Sequence, residues 1–262
     1  MPTAQTRDIT TYYEESGSGD PLILICGLSA DLQVWRFLAP ELAKRYRVIC
    51  YDNRGAGRTD APDEPYSITG MADDLVALMD QLKIDSAHIA GWSMGGVIAQ
   101  AFTLARPNRV RKLILISTLA QPTGLFRARI RTWMNIRRSD MPFEQVLRYM
   151  SLGLFSPAFY DDESRYEQVI QLMLANPYAQ KRHGFLRQAE ALVAHEPGDA
   201  AKNIKADTLV LVGPYDTGTP PYLSERIAQL VPNASLKILS GGHSGFVEFP
   251  NEYGAAIADF LG

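Results

Sequence analysis

Two cysteines are all that the 262-residue chain carries, and no run approaches eighteen consecutive apolar residues. The first scarcity argues against a disulfide framework, so Cys26 and Cys50, each at the end of an apolar run, are expected to be reduced core residues. The second excludes a membrane-spanning helix. The amino-terminal stretch Met1 to Asp8 lacks the apolar segment of a secretory signal, which makes the expected location cytoplasmic. Basic excess is missing too: a formal charge of -3 and a pI near 5.8 leave no electrostatic footprint for nucleic acid. Neither Cys-x-x-Cys nor His-Glu-x-x-His occurs, and no glycine-rich phosphate loop follows the early strands. No metal and no cofactor are therefore expected.

What is present is ordinary globular composition, 46% hydrophobic and 21% charged, in a chain long enough for one wound sheet. Short runs rich in Val, Ile and Leu alternate with segments of helical period, the pattern of a mostly parallel sheet covered by helices. Residues 9–15 read as an early antiparallel strand. Buried strands are expected at 22–26, 47–51, 86–90, 112–116, 208–212 and 235–239. Met71, Leu75, Leu78, Met79 and Leu82 recur at three- and four-residue spacing and form the apolar stripe of a helix.

About ninety residues separate the strand ending near Ile116 from the one beginning near Thr208, several times a normal crossover. Pro142, Pro157, Pro177 and Pro197 divide this segment into three or four predicted helices. Most of them form a lid, and the last, at about 178–194, returns to the main layer. The organisation expected is a core of residues 1–120 and 178–262 with a helical lid at 121–177. Arg127, Arg129, Arg131, Arg137 and Arg138 crowd the first lid helix; a solvated helix face is the favoured reading, and an anion site for a substrate carboxylate or a phosphopantetheine carrier is the alternative.

The chemistry gathers around Gly91-Trp92-Ser93-Met94-Gly95, which lies between a strand-like run at 86–90 and a helix-like run ending near Arg106. A serine on a sharp strand-to-helix turn projects its hydroxyl clear of the sheet, and small neighbours let the helix pack closely beneath it. Such a hydroxyl needs a base. Of the four histidines, His88 sits within a strand, and His183 and His195 fall late in the insertion, where they read as surface residues. His243 alone follows a final strand, in a glycine-rich loop. The imidazole in turn needs an acceptor to fix its tautomer. Asp216 follows the strand at 208–212, whereas Asp207 lies at that strand's opposite end and is disfavoured.

With the order Ser93, Asp216, His243, the chain resembles the α/β-hydrolase superfamily over essentially its whole length. Asp52-Asn53-Arg54-Gly55-Ala56-Gly57-Arg58-Thr59 looks like that family's Asp-x-Arg-Gly-x-Gly-x-Ser loop, with Thr59 in place of the usual Ser. Cys26-Gly27-Leu28 aligns with its His-Gly-x turn, with Cys26 where His is common. The resemblance implies a mostly parallel α/β sheet of about eight strands, helices on both faces and a helical lid after the sixth strand. It also implies an oxyanion hole formed by the backbone N-H groups of Leu28 and Met94. Asp52 and Arg54 are expected to brace the loop beside the site, and Trp35 and Trp92 to line an acyl pocket. Small carboxylesterases and 3-oxoadipate enol-lactonase-like hydrolases are similar in layout. The implied activity is cleavage of a small ester or lactone through an acyl-enzyme on Ser93. Perhydrolase or haloperoxidase chemistry and carbon-carbon bond hydrolysis use the same triad, and a ligand-receptor or partner-binding module with little turnover is the reading from another class.

Overall fold

The computed structural model describes residues 2–262. Eight strands form one sheet: β1 (Thr3–Thr6), β2 (Ile9–Ser16), β3 (Pro21–Ile25), β4 (Arg47–Tyr51), β5 (Ala87–Trp92), β6 (Val110–Ile116), β7 (Asp207–Val212) and β8 (Ala234–Ile238). Their spatial order is β1-β2-β4-β3-β5-β6-β7-β8. The β1–β2 and β2–β4 pairs are antiparallel and every pair from β4 to β8 is parallel. Six parallel strands bring the loops that follow β3, β5, β7 and β8 to one edge, the place where wound sheets build their sites.

The helices are α1 (Ala39–Leu42), α2 (Ile68–Gln81), α3 (Met94–Ala105), α4 (Gly124–Arg138), α5 (Phe143–Ser151), α6 (Pro157–Asp161), α7 (Glu163–Leu174), α8 (Arg182–Ala194), α9 (Pro221–Leu230), α10 (Gly245–Glu248) and α11 (Pro250–Leu261). Two apolar cores flank the sheet because side chains alternate along buried strands. Ile23, Ile25, Ile49, Ile89 and Leu113 point to the face covered by α2 and α3. Leu22, Leu24, Val48, Ala90 and Ile114 point to the other, where Trp35, Phe246 and Tyr253 fill the space.

Two expectations are corrected, and the strand that completes the expected eight lies outside the runs read from the sequence. The four-residue β1, Thr-Ala-Gln-Thr, carries no apolar alternation and is invisible to a periodicity search, yet it caps the sheet through its pairing with β2. Strand β8 is an edge rather than a buried strand: Ile238 is 56% exposed. Between β6 and β7 the chain forms five helices, α4 to α8, where proline spacing predicts three or four. Cys26 and Cys50 are buried free thiols, as expected.

Candidate active site

Ser93 sits between β5 and α3 with φ 55° and ψ -119°, a left-handed geometry that L-residues avoid. Close packing enforces it. A Cβ on Gly95 would run into the carbonyls of Ile25 and Cys26, so only glycine lets α3 approach β3 this tightly. Ser93 N-H donates to Ile116 O at 3.0 Å and its carbonyl accepts from Thr118 Oγ1 at 2.7 Å, pinning the turn on both sides.

The loops after β7 and β8 bring Asp216 and His243 together. His243 Nδ1 lies 2.9 Å from Asp216 Oδ1 and 3.1 Å from Oδ2. The carboxylate is fully buried and further satisfied by Thr219, whose N-H and Oγ1 donate at 2.8 and 2.9 Å. With Nδ1 committed to Asp216, Nε2 is the ring nitrogen that can take a proton. No hydrogen bond joins the Ser93 hydroxyl to His243 in this structure; in unliganded enzymes such contacts are commonly long and tighten around substrate. Trp92 Nε1 donates to His243 O at 2.8 Å and tethers the histidine to the strand that carries the serine.

On the other side of Ser93, Gly27 packs so closely that an added Cβ would stand 3.2 Å from the serine Cβ. The following residue is Leu28. Among the described residues neither Leu28 N-H nor Met94 N-H has a backbone acceptor, and Met94 is the first residue of α3, where N-H groups are unpartnered by construction. Two open donors next to a strained serine, with a carboxylate-held imidazole on a loop at the same sheet edge, are the kinds of group that can hold an oxyanion while a proton moves.

Residues 20–250 match the family model described as alpha/beta hydrolase fold. The chain belongs to that family. It is 30% identical to a protein of Azorhizobium caulinodans carrying the name carbamate hydrolase RutD, over 100% of this chain and 98% of the relative. It is 26% identical to 3-oxoadipate enol-lactonase 2 of Acinetobacter baylyi, over 97% and 94%. The crystal structure of the enol-lactonase from Burkholderia xenovorans superposes with a TM-score of 0.91 at 25% identity, covering 99% of each chain. The protein is thus a hydrolase of the α/β fold, and among its described residues no helix is long and apolar enough to cross a membrane.

The other site residues of this α/β hydrolase divide into those placed as expected and those not. Asp52 braces the loop after β3, its Oδ1 accepting from Leu32 N-H at 2.7 Å and its Oδ2 from Arg58 N-H at 2.8 Å. Burial pushes its carboxyl up to about 6. Arg54 is a buried brace as well: it forms paired bonds to Asp74 at 2.8–2.9 Å and to Asp8 at 2.7–2.8 Å, and its guanidinium holds the Asp8 carboxyl well below the usual range. Trp35 departs from expectation. Its ring is fully buried and stacked on Phe246 at 4.6 Å, so it is core beneath the site and offers no surface to an acyl group. Trp92 is 5% exposed and packs against the His243 ring at 5.4 Å. His183 and His195 are half-buried rather than on the surface; His183 Nε2 sits 2.8 Å from Ala61 O.

The arginine face also differs. Arg127 donates to the carbonyls of Pro122, Val193 and His195, Arg137 to Gln180 O at 2.9 Å, and Arg129 to those of Thr217 and Gly218. They staple α4 to neighbouring backbone, so these three form neither a solvated face nor an open anion site. Helical periodicity finds the face but not the carbonyls that cover it. Asn53, Thr219 and Glu248 also support the candidate site, and none of them was singled out by the sequence pattern. Asn53 Nδ2 donates to Cys26 O at 2.9 Å, holding the turn where histidine is usual. Thr219 had a readable signal, since an Asp followed three residues later by Thr is a side-chain capping pattern. Glu248 had none.

Proposed function

We propose that this hydrolase cleaves a carboxylic ester or lactone of a small organic molecule through an acyl-enzyme on Ser93. Ser93 Oγ attacks the carbonyl carbon as His243 Nε2 takes its proton, and the carbonyl oxygen, now negative, accepts from Leu28 and Met94 N-H. Collapse of the tetrahedral adduct breaks the carbon-oxygen bond, and His243 returns its proton to the leaving alkoxide. Water then attacks the acyl-enzyme with the same base, releasing the acid. Asp216 holds the imidazole tautomer and offsets its charge. In a lactone the leaving alcohol stays tethered to the acyl group, so one hydroxy acid is the product.

The observation that carries this reading is the strained Ser93 on the turn after β5, packed against Gly27, at the same sheet edge as the His243–Asp216 pair, which Trp92 Nε1 ties to the strand that carries the serine. The similarity to enol-lactonases favours an ester-type bond, and the lid of residues 121–177 would select the acyl compound. Carbamate cleavage is a second reading, favoured by the name of the 30% identical relative. Attack on a carbamate carbonyl uses the same groups. The test is hydrolysis of an activated ester by wild type and Ser93→Ala: the variant is expected to lose about four to six orders of magnitude in kcat, and equal rates would sink the serine mechanism. A panel of esters, lactones and carbamates, with mass detection of the Ser93 adduct, separates the two readings.

A further inference from the structure

Both loops that carry the acid and the base are held from the lid side. Arg129, on the first lid helix α4, donates from one guanidinium nitrogen to the carbonyls of Thr217 and Gly218, the two residues after Asp216; the Gly218 contact is 2.8 Å. Gly218 is itself pressed against the imidazole, for a Cβ there would lie 2.8 Å from His243 Nδ1. A shift of this carbonyl pair therefore moves the wall on which the ring rests.

The histidine loop is docked to the segment between α5 and α6. Ser244 N-H donates to Leu154 O at 2.7 Å, and Gly242 lies so close to Phe155 that an added Cβ would come 2.5 Å from its backbone carbon. Between them stands Glu248, a 7% exposed carboxylate on α10. Its Oε1 accepts from Gly242 N-H at 2.7 Å, while Ser156 donates its N-H at 3.1–3.2 Å and its hydroxyl at 2.5 Å. One buried carboxylate thus joins the residue before His243 to the lid. A buried anion satisfied only by donors from two segments holds both in place, because separating them strands a charge.

We infer that the lid clamps the Asp216–His243 pair through Arg129 and Glu248, which act as positioning residues for the proton relay. Neither touches the reacting atoms. Loosening either anchor lets Nδ1 drift from the carboxylate and turns Nε2 away from Ser93, so lid position and relay geometry change together. The consequence for turnover rests on the serine-hydrolase reading above, whereas the clamp itself does not.

The experiment follows the His243 Nδ1 proton by NMR in the whole protein, alongside p-nitrophenyl acetate hydrolysis. In Arg129→Ala and Glu248→Ala that proton is expected to exchange with solvent at least about tenfold faster, and kcat to fall about ten- to a hundredfold with KM little changed, the scale of a misplaced catalytic group. Glu248→Gln keeps an acceptor for Gly242 N-H and is expected to restore most of both. Arg131→Ala, exposed on the same helix, is the control and should change neither. Arg129 is half-buried, so its variant remains informative if Glu248→Ala fails to fold. Unchanged proton exchange in Arg129→Ala, or equal changes in Arg131→Ala, overturns the clamp. If ester turnover is identical in wild type and Ser93→Ala, the hydrolytic reading falls, and proton exchange alone still decides the clamp.

Discussion

The two sides of Ser93 are braced by different parts of the molecule. On the oxyanion side, the turn after β3 is held by the neighbouring loop of the core: Asn53 on Cys26 O, Asp52 on Leu32 N-H, and Trp92 packed behind Gly27. On the proton-transfer side, the loops after β7 and β8 are held by helices and connections inserted between β6 and β7, through Arg129, Leu154 and Ser156. The inserted segment also reaches the first side: Asn176 Nδ2 bonds Asp31 at 2.6 Å, and Gln180 and Gln188 donate to the carbonyls of Gly55 and Arg54, behind the loop that carries Asp52 and Asn53. The difference separates two tolerances. Under the proposed mechanism, the turn that would hold the oxyanion is bonded directly by core residues, whereas the loops that would carry the relay lean directly on the inserted helices.

The sharpest way to break this comparison is to disable the relay with the lid untouched. Asp216→Asn removes the acceptor that fixes the His243 tautomer and is expected to lower kcat about ten-thousandfold, while Asp207→Asn, at the far end of β7, should leave it unchanged. The reverse outcome in steady-state kinetics would reassign the acid. A smaller effect tests the core-braced side through pH. Burial raises the Asp52 carboxyl from 3.8 to about 6, so between those values the folded chain holds a proton that the unfolded chain has released. Stability therefore falls as pH rises through that window. Relative to Asp52→Asn, which does not titrate, the wild type should lose on the order of 3 kcal/mol at most between about pH 4 and 6. Denaturant titrations at several pH values check this, and a pH-independent difference would show that the oxyanion-side brace is better solvated than its burial implies. The smallest effect is expected for Asn53→Ala. Loss of its bond to Cys26 O should cost about 1–2 kcal/mol, read as a lower melting temperature and a kcat reduced about tenfold. In the same variant His243 Nδ1 proton exchange should stay as in wild type, since this brace is on the core side.

Much of the core-braced side is local in the chain and was legible there. The Gly91 to Gly95 turn, the strand before it and the helix after it are contiguous, and the loops bearing Asp216 and His243 follow the strand-like runs at 208–212 and 235–239. The braces were less legible because their partners lie far apart in sequence. Ser156 and Glu248 are 92 positions apart, and Arg129 and Gly218 are 89 apart. Periodicity reports which face of a helix is polar, but a polar face looks the same whether water or another segment's carbonyls cover it. Trp35 failed for the complementary reason: an aromatic near the sheet edge has the same sequence signature on either side of the surface, and its stacking on Phe246 is a contact across more than two hundred residues. Strand β1 was missed because four residues held by backbone pairing need no apolar signature.

The backbone of Ser93 has one further consequence. A glycine would adopt φ 55° and ψ -119° almost without penalty, whereas any residue with a Cβ holds that geometry at about 1–3 kcal/mol. The most stable version of this chain therefore carries no hydroxyl at its sharpest turn. Thermodynamic optimisation of the fold, whether by drift or by a designer ranking substitutions on stability alone, would erase the hydroxyl first.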